Sequence, residues 1–205
     1  IESDRITITA DVPFRVSGQG TEWHYQAISV TEDTEKTITM EKAPESTRKD
    51  VSAAWKNFRN SDDNMGITSA KTPTSEATTY EKWFKKLGSG WGAAPSVQII
   101  VDNSLIVMSA NHIYKLDLNT GDILQTGDMV AATNFGYTPP TYADGMIFAP
   151  LADGRVQAFN AETLESLWVY QDTLKGQSLS PITYSDGYIY TGFWNAETKD
   201  ANYVC

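Results

Sequence analysis

Much of what enzymes and small secreted domains are commonly built on is scarce in this chain. Its 205 residues hold one cysteine, Cys205, and two histidines, His24 and His112. A lone cysteine excludes an internal disulfide framework, a cysteine-based zinc site and a CxxC redox pair. Neither histidine has a second histidine or a cysteine at metal-ligand spacing, so both read as ordinary side chains of β structure. No apolar run approaches the roughly 20 residues that cross a bilayer as a helix, and the mean hydropathy is −0.37. Positive charge is short as well, with 16 Lys and Arg against 26 Asp and Glu and a formal net charge of −10. That balance excludes the basic stripe a nucleic-acid binder needs, and it disfavours anionic membrane surfaces. The nucleophile elbow, the P-loop and the HExxH zinc motif are all missing. The sequence therefore assigns no catalytic residue and no metal ligand.

What is present favours strands. Six Trp, ten Tyr and seven Phe accompany abundant Thr and Ser, a composition that suits many short strands. Residues 1–47 read as a small β module, with alternation through Ile6, Ile8 and Ala10 and further runs at Phe14 to Val16, Trp23 to Val30 and Thr37 to Met40. Fewer than 50 residues rarely hold a β domain alone, so this module is expected to be an Ig-like remnant or a sheet docked on a neighbour. Residues 48–79 read as a linker and lead-in segment. Asp50 is placed to cap a short helix over 51–58.

A repeat decides the rest. Pro95, Pro140 and Pro181 each open a segment that runs into Asn103-Ser104-Leu105-Ile106, Asp144-Gly145-Met146-Ile147 or Asp186-Gly187-Tyr188-Ile189. Taken at 104, 145 and 187, the turns stand 41 and 42 residues apart, and closing strands are expected to end at Trp83, Gln125 and Trp168. Asp-Gly pairs mark tight hairpins, whose central residues both want positive φ. A period of about 40–45 residues holding four strands is one propeller blade, which buries its two apolar faces only between neighbouring blades. Residues 80–205 are thus expected to form about three blades of an all-β, partial β-propeller, the last one incomplete. Missing blades would come from the rest of a longer chain or from another copy.

Lys115-Leu116-Asp117-Leu118-Asn119-Thr120-Gly121 and Ala158-Phe159-Asn160-Ala161-Glu162-Thr163-Leu164, with Trp168 after the latter, resemble the Ala-Leu-Asp-x-x-Thr-Gly-x-x-x-Trp repeat of pyrroloquinoline-quinone-like (PQQ-like) propellers. The run from Trp55 to Gly66 resembles the segment that often precedes the first blade in that family. The resemblance covers residues 55–205 and is nearest in flavour to secreted or surface proteins of Gram-positive bacteria. Gln125 stands where the family has its closing Trp, Leu164 where it has Gly and Asn160 where it has Asp, so looser corners are expected there.

The resemblance implies a non-catalytic extracellular scaffold that recognises a glycan, a peptide or a partner domain, with no cofactor. Its alternatives are part of a dehydrogenase that uses the quinone and Ca²⁺, or an outer-membrane assembly scaffold. Quinone chemistry in this family draws on a catalytic carboxylate, calcium-binding oxygens and often a vicinal cysteine pair, which one cysteine cannot supply. Two acidic clusters, Ser61-Asp62-Asp63-Asn64 and Asp117 to Asp122, read as Asx-rich turns. The loops entering the innermost strands, with Phe193-Trp194-Asn195, are expected to share one face. Trp91, Asn134, Phe135, Tyr137, Gln177 and Trp194 are the ligand-binding candidates there, since flat rings beside amides combine stacking with directional hydrogen bonds.

Overall fold

The computed structural model describes residues 50–133 and 138–205, together with the backbone of four short strands among the first 49 residues. The chain divides into two compact units, Ile1–Thr47 and Arg48–Cys205. In the first, β1 (Arg5–Ile6) pairs antiparallel with β4 (Ile38–Thr39), and β2 (Phe14–Val16) with β3 (Gln26–Ile28). The remaining expectations for this unit, His24 included, lie outside the described residues.

The second unit is built of three antiparallel sheets in which each strand lies beside the next in sequence. The first holds β5 (Ile99–Val101), β6 (Ser104–Ser109), β7 (His112–Asp117) and β8 (Ile123–Asp128). The second holds β9 (Thr141–Ala143), β10 (Met146–Leu151), β11 (Arg155–Asn160) and β12 (Ser166–Gln171). The third holds β13 (Thr183–Ser185), β14 (Tyr188–Trp194) and β15 (Ala201–Val204). Between the first two strands of each sheet sits a pair of positive-φ residues: Asp102 and Asn103, Asp144 and Gly145, Asp186 and Gly187. Only a few residue types tolerate that geometry, Asn, Asp and Gly foremost. The first turn is therefore at 102–103, one residue earlier than expected, and Ser104 opens a strand. The correction makes both intervals 42 residues, as the strand starts at Ile99, Thr141 and Thr183 also show.

Two apolar clusters lie between the sheets. Ile99, Ile106, Met108 and Ile113 of the first sheet meet Ile147, Leu151 and Phe159 of the second. Phe148, Val156 and Ala158 of the second meet Ile182, just before β13, and Phe193 of the third. These side chains are 0–2% exposed, which is the burial that stacked blades supply and a single sheet lacks.

The joint between neighbours takes two forms. No closing strand ends where expected. Gln125 and Trp168 lie inside β8 and β12, which run on to Asp128 and Gln171. Residues 79–88 are irregular, with Trp83 docked on the first sheet instead. Its indole Nε1 donates to the Leu118 carbonyl at 3.1 Å, and its ring covers Gly121, where an added Cβ would stand 2.5 Å from Trp83 Cε3. One period later, Gln125 and Leu164 take these two places. There Lys115 Nζ donates to the Ala161 carbonyl at 3.3 Å, and Leu164, 2% exposed, enters the core. Gly127 makes room, since a Cβ on it would lie 2.6 Å from the Leu164 carbonyl oxygen. The two departures from the repeat are thus one exchange, an aliphatic plug for a ring on glycine, and the corner is filled rather than loosened.

A turn of one design closes the third-to-fourth strand hairpins. Asp117 Oδ1 accepts from the backbone N–H of Asn119 and Thr120 at 2.7 and 2.9 Å, and Asn160 Oδ1 does the same for Glu162 and Thr163 at 2.8 and 3.1 Å. The N–H donors of Thr120 and Asn119 hold the Asp117 carboxyl below its ordinary value. A depressed carboxyl stabilises the fold above the unfolded-state pKa and loses that contribution as pH falls through the lower folded value. Asp117→Asn is expected to keep the turn, as Asn160 does, with a melting temperature within about 2 °C of the parent at neutral pH. Its melting curves below about pH 4 should be flatter with pH than those of the parent.

Residues 51–58 form no helix. Residues 51–56 run extended before a turn at 57–60, with Val51 and Ala53 half-buried and Ser52 and Ala54 exposed, the period-2 pattern of a strand. A helix this short is marginal by itself, whereas the sheets offer it backbone partners.

Candidate functional site

Antiparallel order places the loop over 172–182, the turn over 152–154 and the turn over 195–200 at the same end of the sheets. Contacts tie them together. Asp172 N–H donates to the Gly154 carbonyl at 2.8 Å. Its own carboxylate is 2% exposed, accepting from Leu174 N–H at 2.9 Å and from Asn202 Nδ2 at 2.8 Å. Gln177 and Trp194 exchange two backbone hydrogen bonds, 2.7 and 3.1 Å. Gly176 lies flat on this pairing, because a Cβ there would stand 2.6 Å from the Trp194 carbonyl oxygen. Asn195 Nδ2 adds a bond to the Leu174 carbonyl at 3.2 Å.

The structure therefore joins two of the sequence candidates, Gln177 and Trp194, on one rigid edge. Trp194 remains 44% exposed on that backbone anchor. Trp91 sits in a single 3-10 turn over Trp91–Ala93 in the loop before β5, 93% exposed. Ser109 Oγ pins that turn by donating to the Ala93 carbonyl at 2.7 Å. Trp91 thus shares the loop end with Trp194 but belongs to the first sheet, with Trp194 in the third. Asn134, Phe135 and Tyr137 lie outside the described residues.

Sequence reading placed Asn195 on this face without giving it a role and missed Asp172 and Asn202, which position the edge. One signal was available. Asn195-Ala196-Glu197-Thr198 repeats Asn160-Ala161-Glu162-Thr163 letter for letter, and Asn195 Oδ1 accepts from Glu197 and Thr198 N–H at 3.0 and 3.1 Å. In the second sheet this turn joins third and fourth strands. In the third sheet it joins β14 to β15, and so projects from the opposite end, beside the loop over 172–182.

The acidic clusters are engaged locally. Asp62 accepts from Lys56 Nζ and from Asn57 Nδ2, while Asp117 caps its own turn. His112 Nδ1 lies 3.0 Å from Asp128 Oδ1 at the surface. Among the described residues no three His, Cys, Asp or Glu converge as a metal ion would need.

A family model described as outer membrane protein assembly factor BamB matches residues 75–194. No curated protein sequence matches the chain. Among solved structures, the quinohemoprotein alcohol dehydrogenase ADHIIG from Pseudomonas putida HK5 is similar at TM-score 0.56 and 19% identity, over 70% of this chain and 23% of that one. BamB from Moraxella catarrhalis is similar at TM-score 0.42 and 19% identity, over 58% of this chain and 41% of that one. This chain therefore spans less than half the length of either relative, and at such identity the likeness is one of fold.

Proposed function

We propose that this chain, which belongs to the repeat family described as outer membrane protein assembly factor BamB, is part of a non-catalytic propeller scaffold outside the cytoplasm. It works at the cell surface, and its loop end recognises a peptide or a partner domain. The observation that carries this reading is the edge at Gln177 and Trp194. Two backbone bonds, a flat glycine and a buried carboxylate fix it, yet the indole it presents stays half open. A side chain on a backbone already fixed leaves less entropy to lose on contact, and tryptophan is over-represented among residues that dominate binding. The name of the family, an assembly factor for outer membrane proteins, supports a polypeptide as the partner.

The dehydrogenase reading rests on fold likeness over 23% of that chain, and among the described residues no three His, Cys, Asp or Glu converge on a metal ion. Calcium takes six to eight oxygens, and the most buried carboxylate of the loop end, Asp172, already accepts from Leu174 and Asn202.

A peptide and glycan array probed with the chain tests the proposal. Peptide ligands are expected, with affinity reduced about tenfold or more by Trp194→Ala, the scale of an aromatic hot spot at 1.4 kcal/mol or above. Trp91→Ala is expected to weaken only those ligands long enough to reach the first sheet. Ligands bound equally by the parent and by both variants would remove this face from the function, and hits confined to glycans would replace the polypeptide by a sugar.

A further inference from the structure

The extended stretch before the first sheet occupies a position of its own. Register pairs Ile100 with Leu105, Tyr142 with Ile147 and Tyr184 with Ile189, so these three residues are equivalents at 42-residue intervals on the first strand of each sheet. That strand is the sheet's inner edge, whose backbone groups on one side have no neighbour within the sheet. At the first two positions residues 50–57 supply one. Trp55 N–H donates to the Ile100 carbonyl at 3.1 Å and Ile100 N–H to the Trp55 carbonyl at 2.8 Å. Asp102 N–H donates to Ser52 at 3.0 Å, and Tyr142 N–H to Lys56 at 2.7 Å.

Side chains add a recognition pattern to these backbone bonds. Val51 and Ala53 pack on the cluster between the first two sheets. Tyr142, 3% exposed, donates its hydroxyl proton to Asp50 at 2.7 Å and accepts from Val51 N–H at 2.8 Å. Burial pushes that phenol up to about 12, which keeps it a donor through the neutral range. Ser52 and Ala54 face solvent. The stretch is thus a one-sided layer, held by backbone bonds along two strands, by the Tyr142 hydroxyl and by two apolar contacts.

We propose that the inner edges of β5 and β9 form a β-addition site for an extended polypeptide, and that residues 50–57 are its occupant in this chain. The site selects an acidic residue, then apolar residues one and three positions later, and takes backbone bonds at the fifth and sixth positions after it. Another polypeptide of that pattern binds by displacing the resident stretch. The site stands apart from the loop end and does not depend on the function proposed for it.

Hydrogen exchange on the whole chain tests this with two variants that spoil the occupant and leave the edges intact. Ala53→Asp puts a carboxylate against the apolar cluster, and Trp55→Pro removes a donor. In each, the Ile100, Asp102 and Tyr142 amides are expected to exchange about tenfold faster or more, with Ile147 and Phe159 still protected. A synthetic peptide with the sequence of residues 50–58 should restore protection in the variants, and a scrambled peptide should not. Unchanged protection at Ile100 and Tyr142, equal restoration by the scrambled peptide, or no restoration would each overturn the proposal. Loss of protection at Ile147 and Phe159 in both variants would overturn it too, because the stretch would then be an inseparable part of the core.

Discussion

Replacing Phe159 by alanine is expected to destabilise the second unit by about 3–5 kcal/mol, the range for removing a fully buried phenylalanine. Its ring is 0% exposed and sits in the cluster that joins the first two sheets. Its cross-strand neighbour Ile147, also 0% exposed, would border the cavity, and Ile106 and Ile113 of the first sheet belong to the same cluster. Each belongs to a regular strand and can shift little to close the gap. For a chain of this size that loss lowers the melting temperature by about 6–20 °C, measurable by calorimetry or far-UV circular dichroism. Phe193→Ala, at the joint of the second and third sheets, serves as the parallel case. A drop below about 1 kcal/mol at Phe159 would show that the sheets do not bury each other as described.

The second large effect is expected at Gly121, and it carries its own partial remedy. Gly121→Leu forces a side chain into a positive-φ position, φ +72°, directly beneath the Trp83 ring. Left-handed backbone costs about 1–2 kcal/mol for such a residue, and overpacking adds about 1–3 kcal/mol. The protein already contains the solution one period later, where Leu164 keeps φ +56° and Gln125 stands in place of the ring. The double variant Trp83→Gln with Gly121→Leu should therefore be more stable than Gly121→Leu alone. A double-mutant cycle by chemical denaturation should give a coupling above about 0.5 kcal/mol. Additive effects would mean that the two joints are not alternative solutions to one packing problem.

Several features were legible because they depend on residues close in sequence. The positive-φ pairs at 144–145 and 186–187 follow from Asp-Gly, and the blade period follows from their spacing. The one-residue slip at 102–103 shows the limit of such reading, since Asn and Ser look alike as turn formers until φ separates them. The expected helix over 51–58 shows another. Val51-Ser52-Ala53-Ala54 is compatible with a helix by propensity, but differences of a few tenths of a kcal/mol per residue yield to the backbone bonds and apolar contacts offered by two sheet edges. At the candidate site, exposed Trp194 and Gln177 were visible as residue types. Their backbone pairing was not, because nothing local announces a bond across 17 positions.

By itself, then, the sequence determined an all-β chain with a repeat of blade length, Asx-capped hairpins and an acidic surface. Each of these is set by backbone preference or by composition within a single unit of the repeat. The tertiary structure alone decided the rest. It assigned one turn design to opposite ends of two sheets, exchanged a ring on glycine for a leucine plug, and laid residues 50–57 along two inner edges. Those outcomes rest on contacts between residues 30 to 92 positions apart, where packing space and unpaired backbone groups outweigh local preference.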